Sequence, residues 1–121
     1  MGDCVFCKIV TGLAPANIYA TWRDATAFIP LNPRVDGHVL VVPHHHVRDF
    51  AEDPKTTAAV MQRAAELARH LAGDCNLITS KGASATQTVF HLHVHLVPRR
   101  PGDGLALPWT GQVRAGGEGH A

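Results

Sequence analysis

His91-Leu92-His93-Val94-His95-Leu96 alternates imidazole with aliphatic side chains, and Val97 closes the run. A period of two is the period of a β-strand, in which residues i, i+2 and i+4 share one face. The pattern predicts a strand over 89–97, with His91, His93 and His95 along one side and Leu92, Val94 and Leu96 turned to a core. A solvated polar face would more commonly use Thr, Lys or Glu, so three imidazoles in a row point to a site. A metal centre is one reading, but three histidines on one extended strand span too much length for an easy tetrahedral set. Chemistry on a phosphate is the other. Neutral imidazole is a nucleophile near pH 7, and its neighbours can hydrogen-bond phosphoryl oxygens or protonate a leaving group.

The rest of the chain supplies elements to hold such a strand. Phe6 to Val10, stopped by Gly12, predicts a short helix. Segments 18–22 and 26–29 read as strands joined through Arg23-Asp24, and 31–37 is turn chemistry. His38 to Val42 is a strand with four consecutive aliphatics, which implies burial on both faces, and Pro43 ends it. Asp53-Pro54 is a helix start, with Asp as N-cap and proline where its missing N–H costs nothing. Val60, Ala64, Leu67, Ala68 and Leu71 follow at helical spacing, which predicts one long helix over 54–72 with Gly73 as its stop. A strand over 75–79 and a small-residue loop over 80–86 lead to the histidines. The connections are too short for parallel crossovers, so the fold class is α+β on an antiparallel sheet. The 121 residues suffice for one core. The domain is expected over 1–109, with 110–121 a flexible tail that has almost nothing to bury.

Charge and cysteines narrow the function. Eleven Lys and Arg against ten Asp and Glu leave no broad basic face, which argues against a nucleic-acid partner. No apolar run is long enough to span a bilayer, and the N-terminus does not read as a signal peptide. Cytoplasmic localisation is the expectation. Three cysteines make a poor disulfide framework, whereas Cys4 and Cys7 form a C-x-x-C pair that suits metal or redox chemistry. They could equally be two small buried thiols packed on Phe6. Cys75 reads as a buried small residue. The loop from Ser80 to Thr88 offers backbone N–H groups, the Gln87 amide and the Thr88 hydroxyl around a potential anion.

These motifs together resemble the histidine-triad (HIT) family of nucleotide hydrolases and transferases. His91 to Val97 has the form H-φ-H-φ-H-φ-φ. Asp3 to Ile9, Pro33 to His46, Gln87-Thr88-Val89 and Pro98 to Trp109 resemble the family's other blocks, the last its bacterial branch. The resemblance implies a half-barrel-like antiparallel sheet with one long helix and a short N-terminal helix, paired as a homodimer. It implies that a nucleoside 5′-monophosphate, AMP above all, is cleaved from a leaving group such as an amine. His93 would attack the α-phosphorus and become nucleotidylated, and His95 and Thr88 would contact phosphoryl oxygens or the scissile bond. Gln87 would lie beside them, His38 near the nucleotide, and Trp109 at the rim. Cleavage of dinucleoside polyphosphates is the alternative substrate class, and a zinc-stabilised nucleotide-binding module without efficient turnover is the alternative of another kind.

The same resemblance implies a structural zinc held by Cys4, Cys7, His46 and His91, with His44 and His45 as competitors for the third place. It also exposes departures. Pro30 stands where an acidic residue often binds ribose hydroxyls, which leaves Asn32 as a possible substitute. Ser80 replaces an asparagine in the anion loop, and Thr86 replaces the glycine before Gln87.

Overall fold

The computed structural model describes residues 3–109. Two helices, α1 (Val5–Val10) and α2 (Pro54–Ala68), accompany five strands: β1 (Asn17–Thr21), β2 (Ala25–Ile29), β3 (Val39–Pro43), β4 (Asp74–Ile78) and β5 (Val94–Arg99). The strands form one sheet in the order β1-β2-β3-β5-β4, every pair antiparallel. This is the α+β architecture expected, and the 110–121 tail lies outside the described residues.

β3 is buried along its whole length, as its aliphatic run demands. Its alternate residues serve two faces. Val39 and Val41 join Ala25, Ala27, Leu92 and Val94 beneath Val60 and Ala64 of α2. Leu40 and Val42 join Phe28 and Phe6 on the opposite face, under α1. The Asp53 carboxylate caps α2 by accepting from the Lys55 N–H and the Thr56 hydroxyl, and Pro54 occupies the first turn.

Two boundaries differ from expectation by more than two residues. α2 ends at Ala68 rather than 72, because the His70 and Leu71 N–H groups bond to Leu67 and Ala68 in tighter i→i+3 turns. The last strand begins at Val94 rather than 89, so His91 and His93 precede it. Pro43, at the end of β3, has no N–H to donate, and its carbonyl takes the His91 ring instead of a strand partner. On the other side the Thr79 hydroxyl donates to the His93 carbonyl at 2.8 Å. Side chains thus replace the ladder on both sides. The parity survives: Leu92, Val94 and Leu96 are buried towards α2, and the rings of His91 and His93 lie against Phe6 on the other face.

Candidate active site and metal centre

The imidazoles lie in a row, and backbone groups set which nitrogen of each carries the proton. His93 Nδ1 lies 2.8 Å from the His91 carbonyl, which can only accept. The proton therefore sits on Nδ1, and Nε2 keeps its lone pair. Beside it, at 5.2 Å between ring centroids, stands His95. The Arg34 backbone N–H donates to His38 Nδ1 at 3.0 Å, so His38 carries its proton on Nε2. His38 Nε2–H donates in turn to His95 Nδ1 at 3.0 Å. The remaining proton of neutral His95 is then on Nε2, as a donor. One ring offers a lone pair and its neighbour an N–H.

Burial keeps these rings neutral. It lowers His93, against the opposing effect of the His91 carbonyl. It holds His95 down to about 4, with the charges of His93 and His38 adding to the effect. His38 is lowered by burial and then by the charge of Arg34.

A second cluster adjoins the first. Cys4, Cys7, His46 and His91 bring one ligand atom each within 4.8 Å of one another. His91 Nε2 donates to the Pro43 carbonyl at 3.0 Å, so its Nδ1 lone pair faces the cluster. That lone pair lies 3.4 Å from Cys4 Sγ, 3.5 Å from Cys7 Sγ and 3.0 Å from His46 Nδ1. Tetrahedral zinc bonds of ordinary length would separate two nitrogens by about 3.3 Å and nitrogen from sulfur by about 3.5 Å. Burial, and then Cys4, push the Cys7 thiol up, so paired thiolates here call for a cation. The donor set fits a metal. His44 is no competitor, since its Nε2 is 2.8 Å from the Thr26 hydroxyl and its Nδ1 3.2 Å from the Arg23 carbonyl. His45 is exposed.

The loop before the histidines is organised from within. Gln87 is buried, accepts the Gly82 N–H at Oε1 and donates through Nε2 to the carbonyls of Arg48 and Val89. Its amide shapes the loop more than it reaches outwards. Thr86 adopts a left-handed φ of 76°, strained for a β-branched residue. Thr88 is exposed and lines a cavity of about 340 Å³ with Asp3, Cys4 and Val5.

His38 and His95 open instead on a cavity of about 380 Å³, walled by Ile78, Val97 and Leu105 and bordered by Arg34 and Arg99. Asn32 is exposed, Ser80 half-buried, and Trp109 is 46% exposed; none lines this cavity. Sequence reasoning treated Arg34 only as part of a turn and missed Phe6 as a contact for His91 and His93, at centroid distances of 5.9 and 5.1 Å. The orienting carbonyls of Pro43 and His91 have no side-chain signature at all. Only the missing N–H of Pro43 could have flagged that the β3 ladder stops there.

Residues 12–102 match the HIT domain. An uncharacterized HIT-like protein of Methanocaldococcus jannaschii is 37% identical, over 92% of this chain and 89% of its own length. An adenosine 5′-monophosphoramidase of Saccharomyces cerevisiae is 32% identical, over 90% of this chain and 71% of its own. Among solved structures, a zinc-bound histidine triad family protein from Mycobacterium smegmatis superposes with a TM-score of 0.73 at 42% identity, covering 87% of this chain and 81% of that one. With its alternating histidines on the sheet those structures share, the chain belongs to the histidine-triad (HIT) family.

Proposed function

We propose that this protein is a nucleotide hydrolase or nucleotidyl transferase that cleaves a nucleoside 5′-monophosphate, AMP by preference, from an amine or related leaving group. The observation that carries the reading is the pairing of an unprotonated His93 Nε2 with a protonated His95 Nε2 on adjacent rings. His93 Nε2 attacks the α-phosphorus. A phosphorus–nitrogen bond to the imidazole forms as the bond to the leaving group breaks; the neutral His95 Nε2–H hydrogen-bonds the departing nitrogen, and the amine takes its proton from solvent. Water then attacks the nucleotidyl-imidazole, releasing AMP and restoring His93. The Thr88 hydroxyl and the loop around Ser80, shaped by Gln87, stabilise charge on the phosphoryl oxygens. His38 orients His95 from behind, Asn32 takes the ribose hydroxyls that Pro30 cannot, and Trp109 stands at the rim. The activity named for the yeast relative supports the amine leaving group.

The metal in this reading is a structural zinc on Cys4, Cys7, His46 and His91, supported by the donor set and the zinc-bound relative. When bound, zinc supplies a fixed tetrahedral anchor. His91 turns its ring to that anchor and its carbonyl to His93, which ties the two centres together.

The test is turnover of adenosine 5′-phosphoramidate, a diadenosine polyphosphate and a nucleotide sugar by the wild type and by His93→Ala. We expect His93→Ala to lose turnover by at least about 10³-fold and to bind AMP nearly as well as the wild type. A nucleotidyl-enzyme should be trapped only when His93 is present. Full activity in His93→Ala overturns the nucleophile. Tight AMP binding with no turnover on any substrate would make the protein a binding module.

A further inference from the structure

The cavity beside His95 carries two arginines whose circumstances differ. Arg99 is committed: Nε and Nη2 donate to both carboxylate oxygens of Asp103 at 2.8 and 3.2 Å, Nη1 to Asn76 Oδ1 at 2.7 Å, and Nη2 also to the Leu105 carbonyl at 2.7 Å. Its charge is matched by Asp103, and its bonds hold Leu105 in the cavity wall. Arg34 is different. Its backbone N–H holds His38 Nδ1, while among the described residues its guanidinium has no hydrogen-bond or ion-pair partner. The guanidinium borders the same cavity, whose walls at Ile78, Val97, Leu105 and Leu107 are aliphatic. One unpaired cation at the open side of an aliphatic cavity is a site for one compact anion, which its guanidinium can hold by charge-assisted hydrogen bonds.

We propose that Arg34 is a specificity-determining residue that binds an anionic leaving group, a sulfate or phosphate joined to the nucleotide phosphorus, in this cavity. The inference rests on the functional reading above and adds to it the side of the substrate beyond His95. The chemistry explains why a fixed cation is useful there. When His93 Nε2 attacks an amine-bearing substrate, the His95 Nε2–H hydrogen-bonds the departing nitrogen, which takes its proton from solvent. When it attacks a mixed anhydride with sulfate, the phosphorus–oxygen bond breaks with both electrons on the departing sulfate. That dianion leaves without a proton, and it needs positive charge to receive it. Water then cleaves the nucleotidyl-imidazole to AMP as before. Arg34 has a fixed charge at any working pH and a planar fork that matches two oxygens of such an oxyanion.

The experiment measures kcat/KM for adenosine 5′-phosphosulfate, ADP and adenosine 5′-phosphoramidate with the wild type, Arg34→Gln and Arg34→Lys. The readout is the ratio of each anionic-leaving-group substrate to the phosphoramidate. Substitution leaves the backbone N–H to His38 in place, and a loss of His95 orientation would slow the phosphoramidate selectively and raise the ratio, the opposite of losing the Arg34 site. We expect Arg34→Gln to lower at least one ratio by about 10-fold or more, and Arg34→Lys to restore part of it. The sulfate and phosphate arms identify which oxyanion the cavity takes. Ratios within twofold of wild type for both substrates in Arg34→Gln overturn the inference while leaving the functional reading intact. A wild type that turns over none of the three substrates overturns the functional reading, and this inference with it.

Discussion

At the scale of single residues, three backbone groups decide what three imidazoles do. The Pro43 carbonyl turns the His91 lone pair to the cysteines, the His91 carbonyl leaves His93 Nε2 bare, and the Arg34 N–H sets the relay through His38 to His95. A row of histidines was legible from its alternation. Their separate tasks were not, because those tasks are assigned by main-chain atoms that every residue possesses. The relay also makes a pH prediction. Burial first, and then the charges of His93 and His38, hold His95 down to about 4, against an ordinary imidazole value near 6.5. The folded state therefore binds fewer protons than the unfolded chain between these values. The stability contributed by neutral His95 is complete above about pH 6.5 and is lost as pH falls towards 4. In an NMR titration the His95 ring resonance should move with a midpoint well below 6, and denaturant unfolding should show weaker stability at pH 5 than at pH 7. A His95 midpoint at 6.5 would show that its ring is not desolvated.

At the scale of elements, α1 illustrates how a six-residue helix is held in place. So short a helix is marginal alone. Phe6 anchors it on Phe28 at 5.5 Å between centroids, and Cys4 caps it by accepting the Cys7 N–H at 3.4 Å. A metal on Cys4 and Cys7 would fasten the same turn to His46 and His91. Elemental analysis of the purified protein should find zinc near one equivalent, and Cys4→Ser should lose it. Loss of the anchor should lower the melting temperature by at least about 5 °C, and kcat by about 10-fold through the His91 carbonyl. A zinc-free protein with unchanged melting temperature would remove the structural role. The helices and the buried central strand could be read from the sequence because caps and hydrophobic periods are local signals. The start of β5 could not, since it depends on Pro43 and Thr79, partners distant along the chain that supply side-chain bonds or withhold a backbone donor.

At the scale of the whole molecule, the sheet formed by the described residues has two edges, β1 and β4, and β4 lies next to the strand that carries His95. Ile78, paired with His95 across that ladder, is 36% exposed and also walls the Arg34 cavity. An unpaired edge beside a site is a place where a second copy can dock, and we expect a homodimer. Sedimentation at micromolar concentration should give twice the 13.0 kDa chain mass; a monomer there would remove the dimer from the reading. Among the described residues no helix is long and apolar enough to cross a membrane.

The division of labour between the sheet's faces has a consequence for how such a chain can change length. From His91 to Leu96, one parity belongs to the chemistry and the other to the core under α2. Exchanging one aliphatic for another on the core side costs little order. Inserting or deleting a single residue between His91 and Leu96 rotates those beyond it to the opposite face, sending imidazoles into the aliphatic interior and leucines to the histidine face. The number of residues in this segment is therefore held more strictly than the identity of most of them.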